Sequence, residues 1–76
     1  MNNKRRTEIS HLIKKLEDVS ERLQYLSDEE QDCLDNMPEN LLESDRCLQM
    51  EENVDKLNDL SQDVDSVIDE MQELIS

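Results

Sequence analysis

Residues 28–43 read DEEQDCLDNMPENLLE and interrupt an otherwise regular helical pattern. The stretch carries seven carboxylates, no basic residue and the only proline of the 76-residue chain. Pro38 disfavours a helical backbone at Met37 and fits the first position of a new turn. Because Ser44 followed by Asp45 is a good helix start, the sequence predicts a bend at 37–43 between two helices.

Apolar residues recur on both sides of this bend at alternating spacings of three and four, which indicates two amphipathic helices. The predicted helices are 3–36, capped by Asn2 or Asn3, and 44–75. The first apolar seam consists of Ile9, Leu12, Leu16, Val19, Leu23, Leu26, Cys33 and Met37, with Glu30 as an interruption. The second consists of Met50, Val54, Leu57, Val64, Ile68, Met71 and Ile75, with Ser61 as an interruption.

Folding the chain at residue 40 places apolar residues opposite each other along the whole length, so the sequence predicts an all-α, coiled-coil-like antiparallel hairpin. The predicted pairs are Leu26 with Val54, Leu23 with Leu57, Leu16 with Val64, Leu12 with Ile68, and Ile9 with Met71. The same fold sets the basic start of the first helix beside the acids at the end of the second. Those cations are Lys4, Arg5 and Arg6, and without nearby acids they would oppose the helix dipole.

Each predicted helix also has an additional apolar row beside its seam. The rows consist of Ile13 and Leu34 in the first helix, and of Leu60, Val67 and Leu74 in the second. A lone hairpin leaves such rows exposed, and exposed apolar strips of this length mark interfaces. We therefore expect residues 1–76 to form a single domain that dimerises into a four-helix bundle, or else one that receives a helix of another protein. Both parallel and antiparallel packing of the two hairpins remain open.

The charge distribution restricts the possible partners. The net charge is −13; residues 1–27 contribute +2, residues 28–44 contribute −7, and residues 45–76 contribute −8. Such a chain is not expected to bind nucleic acid directly or to bind anionic membranes. A basic protein surface or a divalent cation remains possible. No apolar run resembles a membrane span or a secretion signal, so a cytoplasmic location is predicted.

The candidate metal and redox sites are weak. Asp28, Glu30, Asp32 and Glu39 match part of an EF-hand loop, but Cys33 stands where that loop needs glycine, and a solvated acidic helix end is favoured instead. Cys33 and Cys47 are predicted to face each other near the bend. In a reducing cytosol they are expected to be two small buried hydrophobes rather than a disulfide.

No combination of residues supports catalysis. The only histidine, His11, is two turns or more from the cysteines, and the chain has no glycine-rich phosphate loop. With no nucleophile beside a base, the sequence predicts a protein that is not an enzyme and that has no cofactor or metal.

The second helix carries an unusual number of acids outside its apolar seam. They are Glu52, Asp55, Asp59, Asp63, Asp69, Glu70 and Glu73, with Lys56 nearly alone as a counter-charge. Short Asp side chains hold charge close to a helix at about 6 Å per four residues, which is comparable with phosphates along a nucleic-acid strand. The helix is therefore either a polyanion mimic for a basic protein or a merely solvated face.

At the bend, Leu41 and Leu42 have no obvious place in either seam. They either anchor a docking tip surrounded by acids, or fold back to cap the core beside Leu34 and Met37, the alternative that is slightly favoured. The predicted partner-binding residues are Asp28, Glu29, Asp32, Asp35, Glu39, Leu41, Leu42, Glu43, Glu52, Asp55, Asp59 and Asp63.

Three segments, RRTEI (5–9), DEEQDCLDNMPENLLESDR (28–46) and MEENVDKL (50–57), resemble small acidic helical proteins of phages and prophages of Gram-positive bacteria. The bend is the specific part of this likeness. The chain departs from the pattern at Leu34, where an aromatic residue is common, and at Cys47, where glycine is common. The resemblance brings no assigned activity, but it implies phage origin and favours an inhibitor of a host or defence protein.

Two functional hypotheses follow. The first is an acidic module, in the style of a DNA mimic, that docks on a basic surface of a host or defence protein, such as a nucleic-acid-binding surface. The second is a structural or regulatory homodimer whose acidity serves solubility only. Salt dependence separates them, because binding driven by acids weakens steeply as salt rises.

Overall fold

The computed structural model describes residues 1–42 and 44–76 as two long helices joined by a short turn. Helix α1 spans Asn3–Asp35, a 3₁₀ helix spans Glu39–Leu41, and helix α2 spans Asp45–Ile75. The two helices pack antiparallel into a rod with Cα extents of 60 × 14 × 13 Å. The predicted all-α helical hairpin is confirmed.

Both long helices begin at side chains that cap their first turn. Asn2 Oδ1 accepts a hydrogen bond from the amide of Arg5 at 2.9 Å, and Ser44 Oγ accepts one from the amide of Cys47 at 3.2 Å. These bonds satisfy amides that have no partner within the first turn of a helix. The caps place the helix starts within one residue of the predicted positions.

The bend reverses the chain without glycine. Pro38 is extended, with φ −61° and ψ 145°, and its carbonyl accepts the amide of Leu41 at 2.9 Å to open the 3₁₀ helix. Among the described residues no φ is positive, so ordinary residues tolerate the described part of the turn.

The hairpin core is a narrow row of small and branched side chains. Its buried members repeat every seven residues; they are Ile13, Ser20 and Ser27 in α1, and Cys47, Val54, Ser61 and Ile68 in α2. The Ser20 and Ser61 hydroxyl oxygens lie 3.0 Å apart across the helices, and Ser61 Oγ donates to the Ser20 carbonyl at 3.2 Å. The small side chains bring the two backbones close enough for a hydroxyl to reach the opposite main chain.

The structure corrects the predicted seam of α1. Leu12, Val19, Leu26 and Cys33, which were assigned to the seam, are exposed, whereas Ile13 is buried at 4% exposure and Leu34 is half-buried. Ser61, expected to interrupt the seam of α2, lies inside it at 6% exposure.

The register differs from the prediction as well. Ser27 Oγ donates to the Val54 carbonyl at 3.3 Å, so Val54 faces Ser27 rather than Leu26. The prediction failed because two adjacent rows of α1 have the same spacing, and the more apolar row was chosen. The row that contains the serines packs against α2, because it permits closer approach of the two backbones and its hydroxyls donate hydrogen bonds to α2.

The basic start of α1 lies at the end of α2, as the hairpin requires. Arg6 Nη1 donates to the carbonyl of Ile75 at 3.5 Å. A cation at this end of α2 is favourable because the last carbonyls of a helix carry partial negative charge.

Candidate protein-interaction surfaces

One side of the rod presents an exposed apolar strip, which we call the apolar face. Its members are Leu12, Val19, Leu26 and Cys33 of α1 with Leu60, Val67 and Leu74 of α2, and the six aliphatic side chains are 37–56% exposed. In each helix these residues immediately precede the buried row, again with a period of seven. The sequence predicted exposure for the α2 members only.

The two rows of the apolar face lie on the same side of the hairpin. In an antiparallel pair, the residue directly before a contact residue lies on the same side of the hairpin in both helices. This is because the two helices face each other and run in opposite directions. A surface groove on this side is lined by Leu26, Glu29, Glu30 and Cys33 of α1 and by the half-buried Leu57 of α2. The half-buried residues Leu16, Leu23 and Val64 also belong to the seam along this side.

The other side of the core row is polar. Ser20 Oγ donates to Asp65 Oδ1 at 2.7 Å, and Ser27 Oγ donates to Asn58 Oδ1 at 2.9 Å. The two sides of the hairpin thus differ in character, and only the apolar face is suited to a dry interface.

At the bend, a second groove continues the apolar face toward the tip. Its lining includes Cys33, Met37, Leu41, Arg46 and Met50. Leu41 and Leu42 are 43% and 45% exposed, and Leu41 lines this groove beside Met37, so both the docking tip and the cap of the core stay predictions.

The predicted acids of α2 form one stripe along the outside of that helix. Glu52, Asp55, Asp59 and Asp63 are all exposed. At 100° per residue these four positions fall within an arc of about 80° and span about 16 Å of helix. The stripe points away from the core and is separate from the apolar face.

The predicted acids of α1 lie on a different surface. Asp28, Glu29, Asp32 and Asp35 are exposed at the end of α1, and Glu39 is exposed in the 3₁₀ helix. Because the outer sides of two antiparallel helices point in opposite directions, the α1 acids and the α2 stripe do not form one continuous surface. Glu43, also predicted to contact a partner, lies outside the described residues.

Tyr25 is an exposed group that the sequence reasoning did not single out. The Arg22 guanidinium lies 4.8 Å from the centre of its ring, and Tyr25 itself is 49% exposed. A hydrogen bond to the Glu29 carboxylate, together with the negative charge of Glu29, raises the pKa of the Tyr25 hydroxyl above its usual 10. Tyr and Arg are enriched among the residues that contribute most to protein–protein binding energy. The sequence feature that could have identified this site is that Tyr25 is the only aromatic residue of the chain.

The two cysteines have different environments. Both are free thiols; Cys47 is 1% exposed, whereas Cys33 is exposed on the apolar face. The expectation of two buried hydrophobes is therefore correct for Cys47 and wrong for Cys33, because Cys33 belongs to the row that is exposed along the side of the hairpin.

Three of the four residues that match the calcium-loop pattern lie within α1. Asp28, Glu30 and Asp32 lie within α1, which continues to Asp35, so their backbone does not form a loop. Residues 1–42 and 44–76 contain no group of three or more His, Cys, Asp or Glu side chains arranged to hold a metal ion. In the same ranges, neither helix has an apolar stretch long enough to cross a membrane.

Comparison of the chain with protein-family models, curated proteins and solved structures finds no significant match. The likeness to small acidic phage proteins therefore stays a prediction based on the bend and its flanking segments.

Proposed function

We propose that this chain is a small acidic protein-binding module that dimerises through its apolar face and docks on a basic protein surface through the acidic stripe of α2. The observation that carries the proposal is the separation of the two surfaces. Because the stripe of Glu52, Asp55, Asp59 and Asp63 lies outside the apolar face, it remains accessible when that face is covered.

The dimer in this proposal is a four-helix bundle made from two hairpins. The described part of the hairpin has only four buried apolar side chains, Ile13, Cys47, Val54 and Ile68, which is a thin core for a chain of 76 residues. Covering the apolar face would add the six partly exposed aliphatic side chains to a shared core. Burial of each contributes about 1–2 kcal/mol, since roughly half of its surface is already buried.

The acidic stripe suits a partner that normally binds a polyanion. Its carboxylates are regularly spaced along a helix, and Lys56 is the only basic residue between residues 52 and 63. The resemblance to phage proteins supports a host or defence protein in the bacterial cytoplasm as the partner, and the regular spacing of the acids favours one that binds nucleic acid. The chain would then act as an inhibitor in the style of a DNA mimic.

A second function is favoured by the apolar face itself. The chain would be a structural or regulatory homodimer, and its acids would only keep the rod soluble. This function needs the apolar face but not the acidic stripe, so variants of the stripe distinguish the two.

Neutralising Asp55, Asp59 and Asp63 together by substitution with Asn is expected to weaken capture of a basic partner by about tenfold or more, at up to roughly 1 kcal/mol for each lost charge contact. The measurement is capture from bacterial lysate followed by titration with the captured protein. Binding of the unaltered chain should also fall as salt rises from about 0.1 M to 1 M, which shortens the screening length from about 10 Å to about 3 Å.

The matched control removes three acids from α1 instead. Glu17→Gln, Asp18→Asn and Glu21→Gln change the net charge by the same amount, and all three residues are exposed. Equal losses in both triple variants would mean attraction by total charge alone, and the proposed docking stripe would be rejected. No loss in either would favour the structural homodimer.

A double substitution of Leu41 and Leu42 by Ser tests the tip. Because both side chains are exposed by more than 40%, thermal stability is expected to change little, while partner binding is lost if the tip supplies apolar anchors. Calorimetric melting and partner titration measure the two effects. A large fall in melting temperature would assign both leucines to the core, and unchanged binding would remove the tip from the docking surface.

A further inference from the structure

One whole side of the rod has the dimensions of a stable interface. It is 60 Å long and two helices wide, with axes about 8–10 Å apart, which gives an area on the order of 1,000 Å². The apolar face occupies part of this side, since Leu12 to Cys33 span about 32 Å of α1 at 1.5 Å per residue. Stable interfaces bury about 800 Å² per partner, so a dimer would bury the apolar face together with flanking surface of the same side.

The charge along the rod is strongly uneven. Residues 21–60, which form the bend half, contain thirteen acidic and three basic residues, a net charge of −10. The remaining residues contain eight acidic and five basic residues, a net charge of −3. A dimer that places both bends at one end would bring together two halves that each carry −10.

The same asymmetry is present within α1. Residues 1–20 contain five basic and three acidic residues, whereas residues 28–35 contain five acidic and no basic residues. Two copies of α1 that run antiparallel along each other would therefore set the basic start of each against the acidic end of the other. Opposite charges near a protein surface attract, and like charges in the same place repel.

We propose that the apolar face is covered by a second copy of the chain whose bend lies at the opposite end of the rod. This inference rests on the dimer proposed above and adds its orientation. A two-fold axis across the rod stacks α1 on α1 and α2 on α2, so that the row from Leu12 to Cys33 of one copy runs along the same row of the other. On α2, Leu60 lies near the axis, and Val67 and Leu74 extend along the bend half of the partner's α2. A two-fold axis along the rod would instead stack α1 on α2 and bring the two bends together.

In the antiparallel dimer, Lys4, Arg5 and Arg6 of each copy lie along the end of the other copy's α1. That end carries Glu29 and Asp32 beside the exposed Cys33. The basic segment would thus have two acidic neighbourhoods, the end of its own α2 and the end of the partner's α1. In the parallel alternative the basic segment lies instead beside the end of the partner's α2, and the acid-rich bends of the two copies lie together.

Cys33 provides a direct probe of the orientation, since it is exposed on the apolar side while Cys47 is buried. A nitroxide spin label is attached to Cys33 in a Cys47→Ala background, and the distance between labels is measured by pulsed electron paramagnetic resonance. Arg5 and Cys33 are 28 positions apart in the sequence, so the antiparallel dimer separates the labels by roughly 40 Å at 1.5 Å per residue. The parallel dimer places them within about 20 Å, because both lie at the same end of the bundle, on helices that are diagonal neighbours.

The outcomes test the formation of the dimer and its orientation separately. A distance near 40 Å supports the proposal, a short distance keeps the dimer but overturns the antiparallel orientation, and the absence of any intermolecular distance overturns both. Circular dichroism of the labelled chain checks that the helices are retained.

A disulfide provides a second test that does not depend on a bulky label. With Arg5→Cys added to the Cys47→Ala chain, mild oxidation is expected to link Cys33 to the new thiol of the other copy and to yield a covalent dimer. The two positions are too far apart within one helix to bond in the same chain. Failure to form this mixed link, while the chain with Cys33 alone readily forms Cys33–Cys33 dimers, would favour the parallel arrangement.

Discussion

Val67→Asp is expected to convert the proposed dimer to monomers and to raise its dissociation constant by more than about a hundredfold, which corresponds to roughly 3 kcal/mol or more. Val67 is 46% exposed in the hairpin and lies on the apolar face. In a dimer the substitution acts twice. Each copy loses the burial of a valine and places a carboxylate in an apolar interface, where an unpaired charge is costly. Sedimentation equilibrium over a range of concentrations measures the change.

Ser66→Asp is the control for this substitution. Ser66 is adjacent in sequence and exposed, but one position along a helix turns it about 100° from Val67, away from the apolar face. Both variants gain one negative charge and one Asp in the same helical turn. If they dissociate the dimer equally, added repulsion is the cause and the apolar face is not the interface. A monomeric unaltered chain would exclude the dimer itself.

Ser61→Leu is expected to destabilise the hairpin by about 2–4 kcal/mol, although it completes the apolar heptad pattern of α2. Ser61 is 6% exposed and its hydroxyl lies 3.0 Å from that of Ser20. Leucine does not fit between backbones held this close, and overpacking costs about 1–3 kcal/mol. Loss of the hydrogen bond from Ser61 Oγ to the Ser20 carbonyl adds about 1 kcal/mol. In a domain of this size the melting temperature would fall by about 10 °C or more.

Two further variants isolate the cause. Ser61→Ala keeps the close approach and removes only the hydroxyl, so a smaller loss of about 1 kcal/mol is expected. Ser66→Leu introduces the same side chain at an exposed position and is expected to change the stability little. Thermal melting at matched chain concentration compares all three. A higher melting temperature for Ser61→Leu would mean that the continuous apolar seam, rather than the serine contact, describes the core.

The sequence predicts that the acidic residues are exposed, but it does not predict how they are distributed between the two helices' outer surfaces. Asp28, Asp32, Asp55 and Asp59 lie outside any apolar seam. They are expected to face water because burying an unpaired charge costs free energy. Their division between two outer sides of the rod depends on how each helix is rotated about its axis. That rotation was predicted incorrectly for α1, so the sequence did not show that the bend acids and the α2 stripe belong to different surfaces.

The sequence by itself determined the helices and the bend, because their causes are local. The period of the apolar residues, the caps Asn2 and Ser44, and the effect of Pro38 on Met37 act within a few residues and give the helix ends within one position. Only the tertiary structure decided which of two equally spaced rows of α1 faces α2. Backbone approach selected Ser20 and Ser27, whose small side chains and satisfied hydroxyls allow close packing. The same choice left Leu12, Val19 and Leu26 exposed, since one helix cannot turn both rows toward the same neighbour.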